Sequence, residues 1–97
     1  MMILITYDVN TADEEGRKRL RNVAKICENY GQRVQNSVFE CVVDPSMFID
    51  LKMDLNNVID QSVDNLRFYL LGKNWQNRVE SMGKNVAYDP EKDSFIL

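Results

Sequence analysis

The feature that most constrains the fold is an apolar run at the start of the chain. It covers residues 2–7 (MILITY) and is followed directly by Asp8. A nearly continuous apolar run of this length is typical of a central strand that is covered on one face and paired on both edges. We therefore predict a first strand at about Met2–Asp8, inside a sheet and ending in a carboxylate.

A helical pattern follows the turn at residues 10–13, where Thr11 and Asp13 are both suitable N-caps. Apolar residues then recur at i, i+3, i+4 and i+7, in a stripe made of Leu20, Val23, Ala24 and Cys27. This spacing predicts an amphipathic helix. We expect the helix to close at Tyr30 and Gly31, with the glycine as its C-cap.

The alternation of apolar residues changes phase within residues 33–43 (RVQNSVFECVV). Phe39, Cys41 and Val43 share one parity, whereas Val34 has the other. A single straight strand would therefore place Val34 on the face opposite to those three residues. The pattern predicts either two short strands that meet near residues 36–37 or one strand with a bulge there.

The remaining sequence predicts a second helix, a further strand and a strand-forming tail. Asp44 or Ser46 can cap the helix, and Pro45 fits its first turn; its expected buried stripe is Phe48, Leu51, Leu55, Val58 and Ile59. Residues 65–71 (NLRFYLL) predict a strand that Gly72 ends. We also expect a short strand within 76–82 and a terminal strand at 94–97 (SFIL), which would add to a sheet edge here or on a partner chain.

These elements follow one another in the order β-α-β-β-α-β. Right-handed connections then place both helices on one face of the sheet. We predict an α+β ferredoxin-like βαββαβ sandwich with an antiparallel sheet and an extra C-terminal strand. The 97 residues make a single domain, with 1–72 as its core and 73–97 as a C-terminal extension. Since the other face of the sheet would be apolar and uncovered in a monomer, we expect a homodimer.

Composition excludes several kinds of site. The chain has no histidine, so imidazole chemistry and a Ser-His-Asp relay are impossible. Cys27 and Cys41 fall inside periodic elements and are expected to be buried core residues, not a disulfide or a reactive thiol. No apolar stretch is long enough to cross a membrane, and the start of the chain lacks an export signal. We therefore expect a cytoplasmic protein with no membrane partner.

Charge is distributed unevenly along the chain. The net charge of −3 is not typical of nucleic-acid binding, and residues 44–64 hold five aspartates against Lys52 alone. Residues 17–25, in contrast, hold five basic residues and no acidic one. Lys18, Arg21 and Lys25 align along one edge of the helix, where no neighbouring acid is expected to neutralise them. This basic edge is either a solvated helix face or a sequence-independent contact surface for phosphates.

Asp8 has two interpretations. A strand-end aspartate commonly caps the following turn. It can also be a metal ligand or a general base, because any hydrolytic reaction in this chain must use carboxylates, hydroxyls or a bound metal. Magnesium keeps several waters and needs one or two protein carboxylates. A two-fold axis near Asp8 would bring a second copy of the carboxylate.

Aromatic residues on a ferredoxin-like sheet can stack on RNA bases, as in RNA-binding domains of the ribonucleoprotein type. The Lys/Arg-Gly-Phe-Gly-Phe setting of those aromatics is absent here. We therefore expect the aromatics of the strands to be mostly core residues, namely Tyr7, Phe39, Phe68 and Tyr69.

The chain resembles the family of CRISPR-associated protein two, which works with the CRISPR integrase in acquiring new spacers. The resemblance rests on Tyr7-Asp8, the arginine-rich helix at 17–25, the block YGQRVQNSVFE at 30–40 and LRFYLLG at 66–72. It implies a ferredoxin-fold homodimer with metal-dependent endonuclease activity on RNA or double-stranded DNA. By position, the family's catalytic and metal-holding aspartate near the dimer axis is Asp8, with Tyr7 before it, and Mg²⁺ or Mn²⁺ is the implied cofactor.

The resemblance also implies contacts to nucleic acid and to a partner. The family's helix arginines correspond to Arg19 and Arg21, or to Arg17 in a register shifted within the same segment. The strand at 94–97 is the part that pairs across the dimer or contacts the integrase subunit, although 73–93 departs from the family pattern. Phe39 is the implied paired aromatic. Together with the basic edge, the expected nucleic-acid contacts are Lys18, Arg19, Arg21, Lys25 and Arg33.

Two functional hypotheses remain open from the sequence. One is a divalent-metal-dependent endonuclease that cuts phosphodiester bonds of single-stranded RNA or double-stranded DNA through a pair of Asp8 residues. The other is a non-catalytic DNA-binding scaffold that bridges integrase dimers during spacer acquisition. One carboxylate per chain suits both hypotheses.

Overall fold

The computed structural model describes residues 1–82, which form a four-stranded sheet with two helices. The elements are β1 (Met2–Asp8), α1 (Glu14–Glu28), β2 (Gly31–Gln35), β3 (Val38–Val42), α2 (Pro45–Asn56), β4 (Asn65–Gly72) and a short 3₁₀ helix (Trp75–Asn77). The strand order is β2-β3-β1-β4, and every neighbouring pair is antiparallel. This is the predicted ferredoxin-like arrangement. No helix in the described part of the chain is long and apolar enough to cross a membrane.

β1 is the central strand, as its apolar run predicts. Ile3 lies opposite Cys41 and Ile5 lies opposite Phe39 in β3, and all four side chains are fully buried against the helices. The core continues into the stripe of α1 and to Leu51 and Leu55 of α2. Each fully buried aliphatic or aromatic side chain contributes about 1.5–3 kcal/mol, so this row fixes which face of β1 points inward.

Both helices begin at aspartate caps. The Asp13 side chain accepts a hydrogen bond from the Glu15 N–H at 2.8 Å, and Asp44 accepts one from the Met47 N–H at 2.8 Å. Each cap satisfies one of the free N–H groups at a helix start. The predicted stripe of α2 is confirmed as a packing surface, although its last two members lie beyond the end of the helix at Asn56.

The hairpin of β2 and β3 confirms the predicted phase change. The strands meet at residues 36–37, and their register shifts between Arg33 and Gln35. The predicted role of Gly31 as a C-cap is wrong, because α1 ends at Glu28 and Asn29 is its C-cap. Gly31 begins β2 instead. A Cβ atom there would lie 1.9 Å from the Glu40 carbonyl oxygen, so close approach of the two backbones requires glycine.

The sheet face that carries no helix, called the open face below, is less apolar than predicted. Alternation along the strands places half-buried Leu4, Thr6, Val38 and Val42 on it, but also Gln32, Glu40, Arg67 and the exposed Asp8. Tyr69 also lies there and is 43% exposed, so its predicted core position is wrong. Tyr7 and Phe39 are buried as predicted, and Phe68 is half-buried.

The C-terminal part differs from prediction where the structure describes it. The expected strand within 76–82 is wrong, because Trp75–Asn77 forms a 3₁₀ turn and residues 78–82 contain no strand. Trp75 packs inward and is 5% exposed. The predicted strand at 94–97 lies outside the described residues. The division at residue 72 and the homodimer stay predictions.

Candidate metal and nucleic-acid site

Asp8 is the last residue of β1 and lies opposite Asn65 in β4. Its side chain is exposed, and alternation from buried Tyr7 places it on the open face. The carboxylate has no hydrogen bond or ion pair to another described residue. It is therefore available to a ligand from solvent, and the interpretation of Asp8 as a turn cap finds no supporting contact.

Arg67 is the nearest cation to Asp8 that the strand register identifies. It lies opposite Thr6, on the same open face and diagonal to Asp8, a spacing of roughly 7–8 Å in antiparallel pairs. Its guanidinium donates a hydrogen bond to the Tyr69 hydroxyl at 3.4 Å. Sequence reasoning missed Arg67 as a site residue, because its proximity follows from the pairing of β1 with β4.

Asp8 fits a weak divalent-metal site. Among residues 1–82, no three Asp, Glu, Cys or His side chains come together as a metal cluster. A single exposed carboxylate suits Mg²⁺ or Mn²⁺, because such ions prefer oxygen ligands and Mg²⁺ keeps much of its water shell. A second carboxylate would have to come from another copy of the chain.

Directly behind Asp8, on the helix side of the sheet, three side chains form a hydrogen-bonded cluster. Asp64, the residue before β4, has a fully buried side chain. Its carboxylate accepts from Arg19 Nε at 2.9 Å and Nη2 at 3.2 Å, from the Asp60 N–H at 3.0 Å and from the Tyr7 hydroxyl. We call Tyr7, Arg19 and Asp64 the buried cluster.

The buried cluster fixes the charges of its members. Burial alone would raise the pKa of Asp64, but hydrogen bonds from Arg19 and Tyr7 outweigh it, and the pKa lies below its usual value. Burial raises the pKa of Tyr7, and the hydrogen bond to Asp64 raises it further. At neutral pH Asp64 is therefore anionic and Tyr7 neutral. Sequence reasoning missed Asp64, because its partners are 57 and 45 residues away along the chain.

The basic edge of α1 is present and exposed. Lys18, Arg21 and Lys25 lie on the side of the helix opposite its buried stripe. The expectation that no acid neighbours them is wrong for Arg21, because Glu14 lies 3.7 Å from its Nη2 and also pairs with Arg17 at 2.6 Å. Within the described residues, Lys18 and Lys25 have no ion pair.

The structure does not bring Asp8 and the basic edge together within one chain. Asp8 lies on the open face, whereas Lys18, Arg21 and Lys25 point outward from the helix layer on the other side of the sheet. One nucleic-acid backbone contacting both would have to pass around the end of the sheet. The two features are therefore separate surfaces of the molecule.

The remaining predicted site residues lie on the helix side of the sheet. Arg33 is exposed, and its Nε donates to the Asn36 carbonyl at 2.8 Å. Its guanidinium also stands 5.9 Å from the centre of the Phe39 ring, a cation–π contact. Phe39 is fully buried. Phe39 is thus a core residue, while Arg33 keeps an exposed cation at the β2–β3 turn.

Comparison with known proteins identifies the family. The family profile of CRISPR associated protein Cas2 matches residues 1–79. The chain belongs to the Cas2 family. The resemblance seen in the sequence is thereby confirmed, and the matched residues include Asp8, the basic edge and the buried cluster.

Relatives within the Cas2 family cover nearly the whole chain. The CRISPR-associated endoribonuclease Cas2 of Nitratidesulfovibrio vulgaris is 56% identical over 94% of this chain and 89% of its own length. The CRISPR-associated endonuclease Cas2 of Halalkalibacterium halodurans is 54% identical over 94% of this chain and 95% of its own. The crystal structure of Streptococcus pyogenes Cas2 at pH 6.5 is 65% identical, with a TM-score of 0.80, and covers 86% of this chain and 100% of that one.

Proposed function

We propose that this chain is a CRISPR-associated endonuclease of the cytoplasm that acts as a homodimer and cleaves phosphodiester bonds in RNA or double-stranded DNA. The names of its Cas2 relatives as endoribonuclease or endonuclease support nuclease activity. The observation that carries the proposal is the exposed Asp8 carboxylate at the end of the central strand, with no hydrogen bond or ion pair to another described residue.

Asp8 and its neighbours have distinct roles in this proposal. Asp8 holds Mg²⁺ or Mn²⁺, and Arg67 attracts the substrate phosphate to the same face. When bound there, the divalent ion supplies Lewis-acid stabilisation of the charge that develops on the phosphate. Lys18, Arg21 and Lys25 contact the nucleic-acid backbone on the outer surface of α1 without reading its sequence.

The open face supports the homodimer. It leaves half-buried apolar side chains such as Leu4 and Val42 uncovered among the described residues. On the same face the Gln32 side-chain oxygen is buried without a hydrogen-bond partner among residues 1–82, and burial raises the pKa of Glu40. A second copy packed on this face would cover the apolar side chains and offer polar partners. If the two-fold axis passes near the end of β1, it would also supply a second Asp8.

The test is cleavage of labelled single-stranded RNA and double-stranded DNA, with magnesium or with a chelator, by wild type and Asp8→Asn. Asp54→Asn is the matched control, because Asp54 is also an exposed aspartate but lies on α2. We expect at least a hundredfold loss in Asp8→Asn and wild-type cleavage in Asp54→Asn. Equal cleavage by wild type and Asp8→Asn would reject the catalytic role.

A second function is favoured by the separation of the two surfaces. The basic edge points away from Asp8, so a homodimer would present two outward cationic edges that can hold DNA without cutting it. In this alternative the chain is a scaffold that bridges integrase dimers during spacer acquisition, and residues 94–97 are the proposed integrase contact. Spacer acquisition assays with the integrase subunit separate the two functions. Full acquisition by Asp8→Asn supports the scaffold, and loss of acquisition supports catalysis.

A further inference from the structure

We propose that Asp64 is a positioning residue for Asp8, and that Arg19 acts through Asp64 and not as a nucleic-acid contact. This inference rests on the proposed role of Asp8, and it assigns a different role to one of the arginines that the family resemblance places on nucleic acid.

The strand register shows why Asp64 is suited to this role. Asp8, the last residue of β1, pairs with Asn65, the first residue of β4. The residue before each of them, Tyr7 or Asp64, belongs to the buried cluster, and the Tyr7 hydroxyl donates to the Asp64 carboxylate. This contact ties the two strand ends together on the helix side. The Asp8 side chain then projects from a fixed backbone on the open face.

Arg19 of α1 binds the same Asp64 carboxylate and so links the helix layer to the two strand ends. Its Nε and Nη2 both donate to Asp64, and its side chain is 18% exposed, whereas Lys18, the residue before it, is exposed on the outer side of α1. An Arg19 that turned outward to a phosphate would leave a fully buried carboxylate without its cation. Charges of that kind are strongly disfavoured unless paired.

Asp64 also holds the segment that leads into β4. Its Oδ2 accepts from the Asp60 N–H as well as from Arg19 Nε and the Tyr7 hydroxyl. An asparagine amide has a single acceptor oxygen, and its NH₂ group would face one set of these donors. Asp64→Asn therefore loosens β1, α1 and the segment at 60–64 together, although it removes no bulk from the core.

The first experiment tests Arg19 with a matched pair of neighbours. Arg19→Gln and Lys18→Gln each remove one positive charge from the same turn of α1. Duplex binding is measured against salt concentration in the presence of a chelator, at a temperature where circular dichroism shows both variants folded. We expect Lys18→Gln to make the slope of log K against log salt shallower by about 0.9, the value for one lost phosphate contact. Arg19→Gln should keep the wild-type slope, and a reduction like that of Lys18→Gln would overturn the inference. Because no cleavage is needed, failure of the proposed nuclease does not affect this result.

The second experiment tests positioning without activity. Tyr7→Phe and Asp64→Asn are compared with Val43→Ala, a core truncation at the opposite end of the sheet, where the Val43 N–H donates to the Met1 carbonyl. NMR measures amide hydrogen exchange at residues 6–8 and 65–67, and Mn²⁺ titration measures broadening of the Asp8 amide signal. We expect exchange there to rise at least tenfold more in the two cluster variants than in Val43→Ala, with at least threefold weaker Mn²⁺ binding.

The outcomes separate the inference from the function it rests on. Equal exchange in the cluster variants and in Val43→Ala would show a purely structural role and overturn positioning. If the cluster variants show the local rise in exchange but wild type shows no Mn²⁺ broadening at Asp8, positioning is supported and the proposed metal site is rejected. Should Asp64→Asn fail to fold, Tyr7→Phe decides the question, because it keeps the Asp64 pairing with Arg19.

Discussion

Removal of the Tyr7 hydroxyl should destabilise the protein by an amount that depends on pH. Tyr7 is 2% exposed and donates to a carboxylate that is itself fully buried. In Tyr7→Phe the ring stays in place, and Asp64 keeps its donors from Arg19 and from the Asp60 N–H. The variant therefore loses one charge-assisted hydrogen bond but leaves no unpaired charge. A bond of this kind contributes about 1.5–3 kcal/mol, and relief from burying the hydroxyl reduces the expected loss to about 1–2 kcal/mol.

The pH dependence follows from the two shifted pKa values. The pKa of Asp64 is depressed below its ordinary value of 3.8, so the stability it contributes is present above about pH 4 and is lost as pH falls through its folded pKa. The pKa of Tyr7 is raised from 10.0, so the neutral hydroxyl contributes fully below about pH 10 and less at higher pH. The difference between wild type and Tyr7→Phe should therefore be flat from about pH 5 to 9 and shrink on the acid side.

Urea unfolding at fixed protomer concentration measures this difference at pH 7 and at several values below pH 4. The concentration is held constant because dimer formation would add to the apparent stability. For a domain of this size, about 1–2 kcal/mol corresponds to a shift of roughly 4–16 °C in Tm. A loss below about 0.5 kcal/mol at pH 7, or a loss that persists unchanged below the folded pKa of Asp64, would refute the hydrogen bond as a stabilising contact.

Three further predictions concern the basic edge, the β2–β3 hairpin and the homodimer. The double variant Lys18→Ala/Lys25→Ala should make the slope of log K against log salt for duplex binding shallower by about 2, whereas Glu14→Gln, which frees Arg21, should strengthen binding. Gel-shift titrations measure both, and an unchanged slope in the double variant would contradict the proposed contact between the basic edge and phosphate. Gly31→Ala should destabilise the β2–β3 hairpin, because its Cβ would lie 1.9 Å from a backbone oxygen. If the variant melts at the same temperature as wild type, the two strands can move apart to make room for the methyl group, and the prediction is wrong. Sedimentation at micromolar concentration should give twice the mass of one chain, and a monomer mass would overturn the homodimer.

The sequence predicted correctly those features that depend on residues close together along the chain. Asp13 and Asp44 cap their helices through N–H groups two and three residues away, and the phase change around residues 36–37 follows from parity alone. Gly31 shows the limit of such signals. A glycine just past a helix is a usual C-cap, but here it is required by contact with Glu40 on the neighbouring strand.

In the candidate site, too, only the residues marked by a local sequence pattern could be predicted. Asp8 could be selected from its position after an apolar strand, and the basic edge from its helical spacing. The buried cluster could not, because Asp64 is one of five aspartates in residues 44–64 and only the fold shows that it is buried beside Arg19. The exposure of Tyr69 and the proximity of Arg67 to Asp8 likewise depend on the register of β4 against β1.

The strand order leaves the two borders of the sheet unequal. β2, at one border, is five residues long and carries a register shift, features that discourage another strand from docking. β4, at the other, is eight residues long and presents the exposed Leu70, and its outer backbone groups have no strand partner within residues 1–82. Such a border templates unwanted association and aggregation when left bare. Covering β4 from outside the four strands would therefore favour solubility at high protein concentration.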